Sequence, residues 1–136
     1  MSSNSGLNYT VIIHEYSKRH YIKSFQSKYK IKWDVTLTSL IFELERIDRV
    51  LGLTSKAEII VAKQEQCIIK VDFKIAGTNE SAKTSGDRAI VHVDHNKKIC
   101  SILLVYSKND ISPPNETQKW KNEIKLNIPE IYKYLF

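Results

Sequence analysis

The sequence predicts an α+β domain in which an N-terminal strand and a helical hairpin pack on an antiparallel sheet, followed by a C-terminal helix. Three observations predict it. Apolar residues recur at helical spacing from Lys18 to about Leu51, and the period changes to two from Ala57 to Tyr106. A helical stripe then returns beyond the Pro113-Pro114 breaker. The later strands are joined by short connections, which favours an antiparallel meander whose helices cover one face.

Each element has its own signal. Tyr9, Val11 and Ile13 alternate with Thr10, Ile12 and His14, a short β-branched strand. Ser17 offers an N-cap for a helix over Lys18–Tyr29, with Tyr21, Ile22, Phe25 and Tyr29 on its apolar stripe. After a break near Lys30–Lys32, Trp33, Leu37, Leu40, Ile41, Leu44 and Ile47 mark a second helix to about Leu51. Gly52 is expected just past its end.

Ala57–Ala62 reads as a short strand. Ile69, Val71, Phe73 and Ile75 then alternate with Ile68, Lys70, Asp72 and Lys74, a strand with one apolar and one basic-rich face. Gly77–Gly86 reads as a polar loop. In the strand Arg88–Asp94, Ala89, Val91 and Val93 oppose Arg88, Ile90 and His92. Ile99–Tyr106, the most apolar run, belongs in the middle of the sheet. Asn115 or Ser112 can cap a helix carrying Trp120, Ile124 and Leu126. Pro129 interrupts it, and Ile131–Phe136 is an apolar tail that needs a surface to pack on.

The 136 residues fit one domain, with residues 1–8 as a flexible tail and 9–136 as the folded unit. At 42% hydrophobic and 26% charged, the composition is that of a globular protein and excludes an intrinsically disordered chain. No apolar run approaches the roughly 20 residues of a membrane helix. Met1–Asn8 is polar and uncharged, unlike a signal or transit peptide, and a cytoplasmic location is expected. Cys67 and Cys100 are too few for a disulfide scaffold. Each sits in an apolar run, which points to reduced, packed thiols.

The net charge of +6 favours anionic partners. From Tyr16 to Trp33 the charged residues are all basic: Lys18, Arg19, Lys23, Lys28, Lys30 and Lys32. That helix face can lie on phosphates or simply be solvated. On the strands Lys70 and Lys74 share a parity, as do Arg88 and His92, so a matched register would line one sheet face with four cations. Lys, Arg and His together suit RNA cleavage by in-line attack of a 2′-hydroxyl. One group takes the 2′ proton, a fixed guanidinium stabilises the phosphorane charge, and an acid protonates the departing 5′-oxygen. The plain alternative is that solvent-facing strand positions carry charge. No metal is expected: His92 and His95 fall on opposite faces of a strand, and no other pair has ligand spacing. Nor is there a glycine-rich phosphate loop, so no cofactor is expected.

In order and spacing, three stretches resemble the RelE/ParE toxin superfamily over roughly Tyr9 to Ile128. They are Cys67-Ile-Ile-Lys-Val-Asp-Phe-Lys-Ile75, Ser85-Gly-Asp-Arg-Ala-Ile-Val-His-Val93, and Ile102-Leu-Leu-Val-Tyr-Ser-Lys-Asn-Asp110. The resemblance implies a RelE/ParE-like fold and a toxin of a type II toxin–antitoxin pair. RelE-like members cut mRNA in the ribosomal A site without a metal, so the implied partners are a cognate antitoxin, the ribosome and mRNA. It further implies Arg88 as transition-state stabiliser, Lys70 or Lys74 as base and phosphate contacts, and Lys108 as acid or phosphate clamp. Lys18, Arg19, Lys23, Lys28, Lys30 and His92 are the expected further RNA contacts. The stretch after Lys108 lacks the Tyr or His often found there in active relatives, and the loop from Ala76 to Asp87 is long for the family. Two other functions are compatible with the resemblance: a non-enzymatic ParE-like inhibitor of DNA gyrase, and an inactive relative.

Overall fold

The computed structural model describes residues 8–54 and 56–136; the tail expected over residues 1–8 lies almost wholly outside them. The chain begins with strand β1 (Thr10–Ile13). Helix α1 follows as Glu15–Ser17, widens into a π turn over Lys18–Ile22, and continues as Lys23–Tyr29. Lys30, at φ 54°, breaks the direction, and α2 (Ile31–Glu45) and α3 (Ile47–Leu53) come next. The middle of the chain holds β2 (Ala57–Lys63), β3 (Gln66–Phe73), a single helical turn α4 (Ala82–Ser85), β4 (Asp87–Asp94) and β5 (Ile99–Tyr106). Helices α5 (Glu116–Asn127) and α6 (Pro129–Leu135) close it.

The five strands form one sheet in the order β1-β5-β4-β3-β2. The meander β2 to β5 is antiparallel, as expected, and β1 adds to β5 in parallel. Register fixes two faces. Cys67, Ile69, Val71 and Phe73 of β3 stand opposite Val93, Val91, Ala89 and Asp87 of β4 on one. Ile68, Lys70 and Asp72 stand opposite His92, Ile90 and Arg88 on the other.

The helices cover both faces, not one. Phe25 of α1 and Trp33 of α2 pack against Phe73, and the Cys100 thiol lies 3.5 Å from the Leu44 carbonyl, so the N-terminal helices close the first face. On the second face Tyr106 reaches Glu116 of α5, and Lys63 donates to the Tyr134 carbonyl of α6. The physical reason is β5. Ile102 to Tyr106 is fully buried at successive positions, which alternation permits only if both sides of the strand are covered.

Several local expectations shift. His14, not Ser17, caps α1: its Nδ1 accepts from the Tyr16 amide at 3.1 Å, while Ser17 is buried inside the helix. The hairpin's second helix breaks at Arg46, whose φ of −114° is not helical, and α3 runs through Gly52 to end before an extended Thr54. β3 stops at Phe73, two residues before the expected end. The loop from Gly77 to Gly86 hides α4, capped by Ser81, whose Oγ accepts from the Thr84 amide. Pro129 does interrupt α5, but as the first residue of α6, where its missing N–H costs nothing. Leu126 is 78% exposed, and Ile128 is buried in its place. β5 is an interior strand next to the middle one, β4. Both cysteines are free and buried. Among the described residues no helix is long and apolar enough to cross a membrane.

Candidate functional site

The end of β3, the start of β4 and the end of β5 meet at one end of the sheet, and the sequence puts its basic residues there. The segment Ser81-Ala-Lys-Thr-Ser-Gly-Asp-Arg88 organises it. Ser85, buried, donates from Oγ to the Phe73 carbonyl and accepts from the Asp87 amide, tying α4 to β3 and to the first residue of β4. Gly86 follows at φ +81°, a conformation glycine tolerates. A Cβ there would lie 2.9 Å from Cβ of Lys108, so the Lys108 stem is laid directly across this glycine.

Arg88 lies on the second face of the sheet, opposite Asp72 on β3 and Tyr106 on β5. Its Nε is 3.0 Å from Asp72 Oδ1, and both side chains are only 14% and 13% exposed. Nη1 donates to the carbonyls of Ala82 and Asp87, and Nη2 to that of Lys83. Three of the five guanidinium N–H groups are thus held by backbone oxygens. Arg88 is therefore a fixed positive charge whose first task is to hold α4 on the sheet. Burial pushes the Asp72 carboxyl up, and the Arg88 charge pulls it back down without fully compensating.

Lys70 stands on the same face, one residue pair along, 3.6 Å from Glu58 of β2. Two adjoining clefts border Lys70 and Arg88. The first, about 500 Å³, is closed by Asn115, Glu116, Thr117 and Gln118 at the start of α5. The second, about 300 Å³, adds Lys56, Glu58, Asp72 and Lys83. Asn115 adopts φ 64° and makes no side-chain cap, and the start of this twelve-residue helix, Glu116 included, lines the same cleft as the two cations.

The other expected cations do not join this pair. Lys74 falls beyond the end of β3, donates to the Thr78 carbonyl, and lines a separate groove with Val35, Thr36 and Ser39 of α2. His92 shares the face of Arg88, but its Nε2 lies 2.7 Å from Gln66 Oε1, and burial lowers its pKa, with the Asp94 charge opposing. Of the four expected cations, the shared face keeps Lys70 and Arg88. On α1, Lys18 and Arg19 lie within 3.7 and 3.8 Å of Glu15, while Lys23 is exposed. Lys30 occupies the left-handed break. Lys28 lines a small hollow with Asn109 and Asp110 beyond β5.

Asp87 is the residue the sequence did not single out. It is 8% exposed, and burial pushes its carboxyl up to about 6, with the Glu80 charge adding to the rise and Arg88, Lys108 and Lys28 opposing it. Its only sequence signal is position, between the glycine that seats Lys108 and the arginine that holds α4. Among the described residues no cluster of three or more His, Cys, Asp or Glu could hold a metal.

No protein-family model and no curated protein matches the sequence. The structure is similar to a chain in the crystal structure of the archaeal RelE–RelB complex from Pyrococcus horikoshii OT3. The TM-score is 0.50 and the sequence identity 16%, over 74% of this chain and 96% of that one. At that identity the likeness is one of architecture, and the fold of this chain is RelE-like.

Proposed function

We propose that this protein is the toxin of a toxin–antitoxin pair and that it cuts ribosome-bound mRNA by attack of a 2′-hydroxyl on the adjacent phosphate, without a metal. The single observation that carries the reading is the pairing of Lys70 with a rigidly held Arg88 at an open cleft facing the uncapped start of α5. A phosphodiester fits such a place: a helix N-terminus, an ammonium and a guanidinium all favour its negative charge. Arg88, already immobilised, would meet the extra charge of the phosphorane without having to be ordered first. Lys70, beside the Glu58 carboxylate, suits the role of phosphate contact. Lys108, whose stem lies across Gly86, would suit a phosphate clamp at the end of the sheet.

In this reading the 2′-oxygen loses its proton to a base and bonds to phosphorus. The bond to the 5′-oxygen breaks, and that oxygen leaves protonated, with a 2′,3′-cyclic phosphate behind it. The RelE-like architecture supports an antitoxin partner, and an acidic chain would mask the basic cleft.

The test is inducible expression of the wild type, Lys70→Ala and Arg88→Ala, with growth and the 5′ ends of cellular mRNA as readouts. Growth arrest with cuts inside translated regions is expected for the wild type. Lys70→Ala keeps the fold and should lower cleavage about 10- to 100-fold; Arg88→Ala should abolish it. Arrest with intact mRNA would reject nuclease action and redirect the search to a protein target such as gyrase.

A further inference from the structure

We infer that the free edge of β2 pairs antiparallel with β2 of a second copy of this chain, Glu58 of each standing opposite Lys63 of the other. Among the described residues β2 has one neighbour in the sheet, β3. The strand reads Ala-Glu-Ile-Ile-Val-Ala-Lys, with Ile59 53% exposed and Ala62 exposed beside it. A long, β-branched edge of this kind is a template for another strand.

The occupant follows from the charges and from a bulge. In a regular strand residues 58 and 63 would point to opposite faces. The register of β2 slips between Ile59 and Val61, leaving Ile60 without a partner on β3. Glu58 therefore pairs with Lys70 and Lys63 with Gln66, and these two β3 residues lie on one face. Opposite residues of an antiparallel pair share a face, so the bulge makes Glu58 and Lys63 available to each other across a two-fold axis.

In that register Ile59 meets Ala62 and Ile60 meets Val61. Sliding to the next allowed register in one direction sets Lys56 against Lys63, and like charges directly opposite one another disfavour it. Sliding in the other sets Lys63 against Ile60 and carries Glu58 past the end of the partner strand at Lys63, which leaves both charges without their partner. The strand is self-complementary in one register, which is what a two-fold contact needs. Glu58 and Lys63 are both exposed at present, the first 3.6 Å from Lys70 and the second donating to the Tyr134 carbonyl at 3.3 Å.

The test is solution mass by light scattering at about 100 µM, where a micromolar dissociation constant leaves the dimer dominant. The wild type should run at twice the 15.8 kDa chain mass. Glu58→Lys and Lys63→Glu should each weaken association by at least about tenfold and run as single chains. An equimolar mixture of the two should recover the double mass, because each supplies the charge the other lacks. The double variant Glu58→Lys/Lys63→Glu should also recover it. Ile59→Lys, a change at an exposed apolar position facing Ala62, should give single chains without altering the charges at either end. A wild type of single-chain mass, single variants as dimeric as the wild type, or a mixture that fails to associate would each overturn the inference.

Discussion

Two glycines with the same backbone and different surroundings allow the organisation of the site to be weighed. Gly77 has φ +86° and nothing within 4 Å of where a Cβ would sit; Gly86 has φ +81° and the stem of Lys108 at 2.9, 3.1 and 3.2 Å. Alanine in a left-handed conformation costs about 1–2 kcal/mol, and its stiffer unfolded chain returns about 0.4–1 kcal/mol. Gly77→Ala should therefore lose about 0.5–1 kcal/mol. Gly86→Ala carries the same cost plus a clash with a Cβ, an atom that moves only with the backbone, for which overpacking of about 1–3 kcal/mol is the appropriate scale. The gap between the variants is then about 1–3 kcal/mol. Urea unfolding reads it directly: with m near 2 kcal/mol/M the midpoints should lie about 0.5–1.5 M apart. If they coincide, Lys108 does not rest on Gly86, and the account of how the end of β5 is held against the start of β4 fails. If they separate, Gly86→Ala becomes a way of displacing Lys108 without removing any charge, and its RNA cleavage should fall while that of Gly77→Ala does not.

Other perturbations have equally definite outcomes. Arg88→Ala leaves Asp72 buried without its cation and releases the carbonyls of Ala82, Asp87 and Lys83. It should cost about 3–5 kcal/mol in urea unfolding, and adding Asp72→Asn should return part of the loss; a double variant no better than the single would refute the pairing. For Asp87 the folded pKa of about 6 lies above the ordinary aspartate value of 3.8, so between those values the native state holds the proton more tightly than the unfolded chain. Stability from this group is fully present below about pH 4 and declines as pH rises toward 6, by roughly 3 kcal/mol at most. Unfolding of Asp87→Asn at pH 4 and pH 7 should lack that decline, and a slope equal to the wild type would refute it. Ile128→Ala should cost about 2–5 kcal/mol and Leu126→Ala under about 0.5 kcal/mol; thermal unfolding of the two would expose any error in the phase of α5.

What the sequence discloses depends on how local the cause is. β5 is bounded as expected because an unbroken apolar run flanked by a turn and a breaker has few readings. Gly52 sits inside α3, and the helix ends one residue later, before the extended Thr54. Ile128 replaces Leu126 in the core because α5 ends at Ile128, whose φ of −135° and ψ of 60° leave the helical path and redirect the chain. In the site, parity puts Lys70 with Lys74 and Arg88 with His92, but that Lys70 and Arg88 share a face depends on the register that pairs Asp72 with Arg88. The engagement of Arg88 was not, since its partners are main-chain oxygens of a helical turn concealed in a polar stretch. His92 reads as a potential cation in sequence, but burial in the fold lowers its pKa and its ring is paired with Gln66 on the neighbouring strand, both of which act only after the register is set.

The parallel pairing of β1 with β5 imposes an order on synthesis. Thr10 to Ile13 are made well before their partners Ile99 to Ile102, which follow about seven-tenths of the described chain. The N-terminal helices gain their turns locally, yet the surface they close does not exist until β5 has formed. Long-range contacts of this kind delay folding until the last strand has been made. Because Lys70 and Arg88 are brought side by side by that sheet, and the cleft is closed by helix α5 still later in the chain, a nascent copy has no assembled cleft while most of it is being translated. The interval is one in which a partner can meet the chain before its cleft is complete.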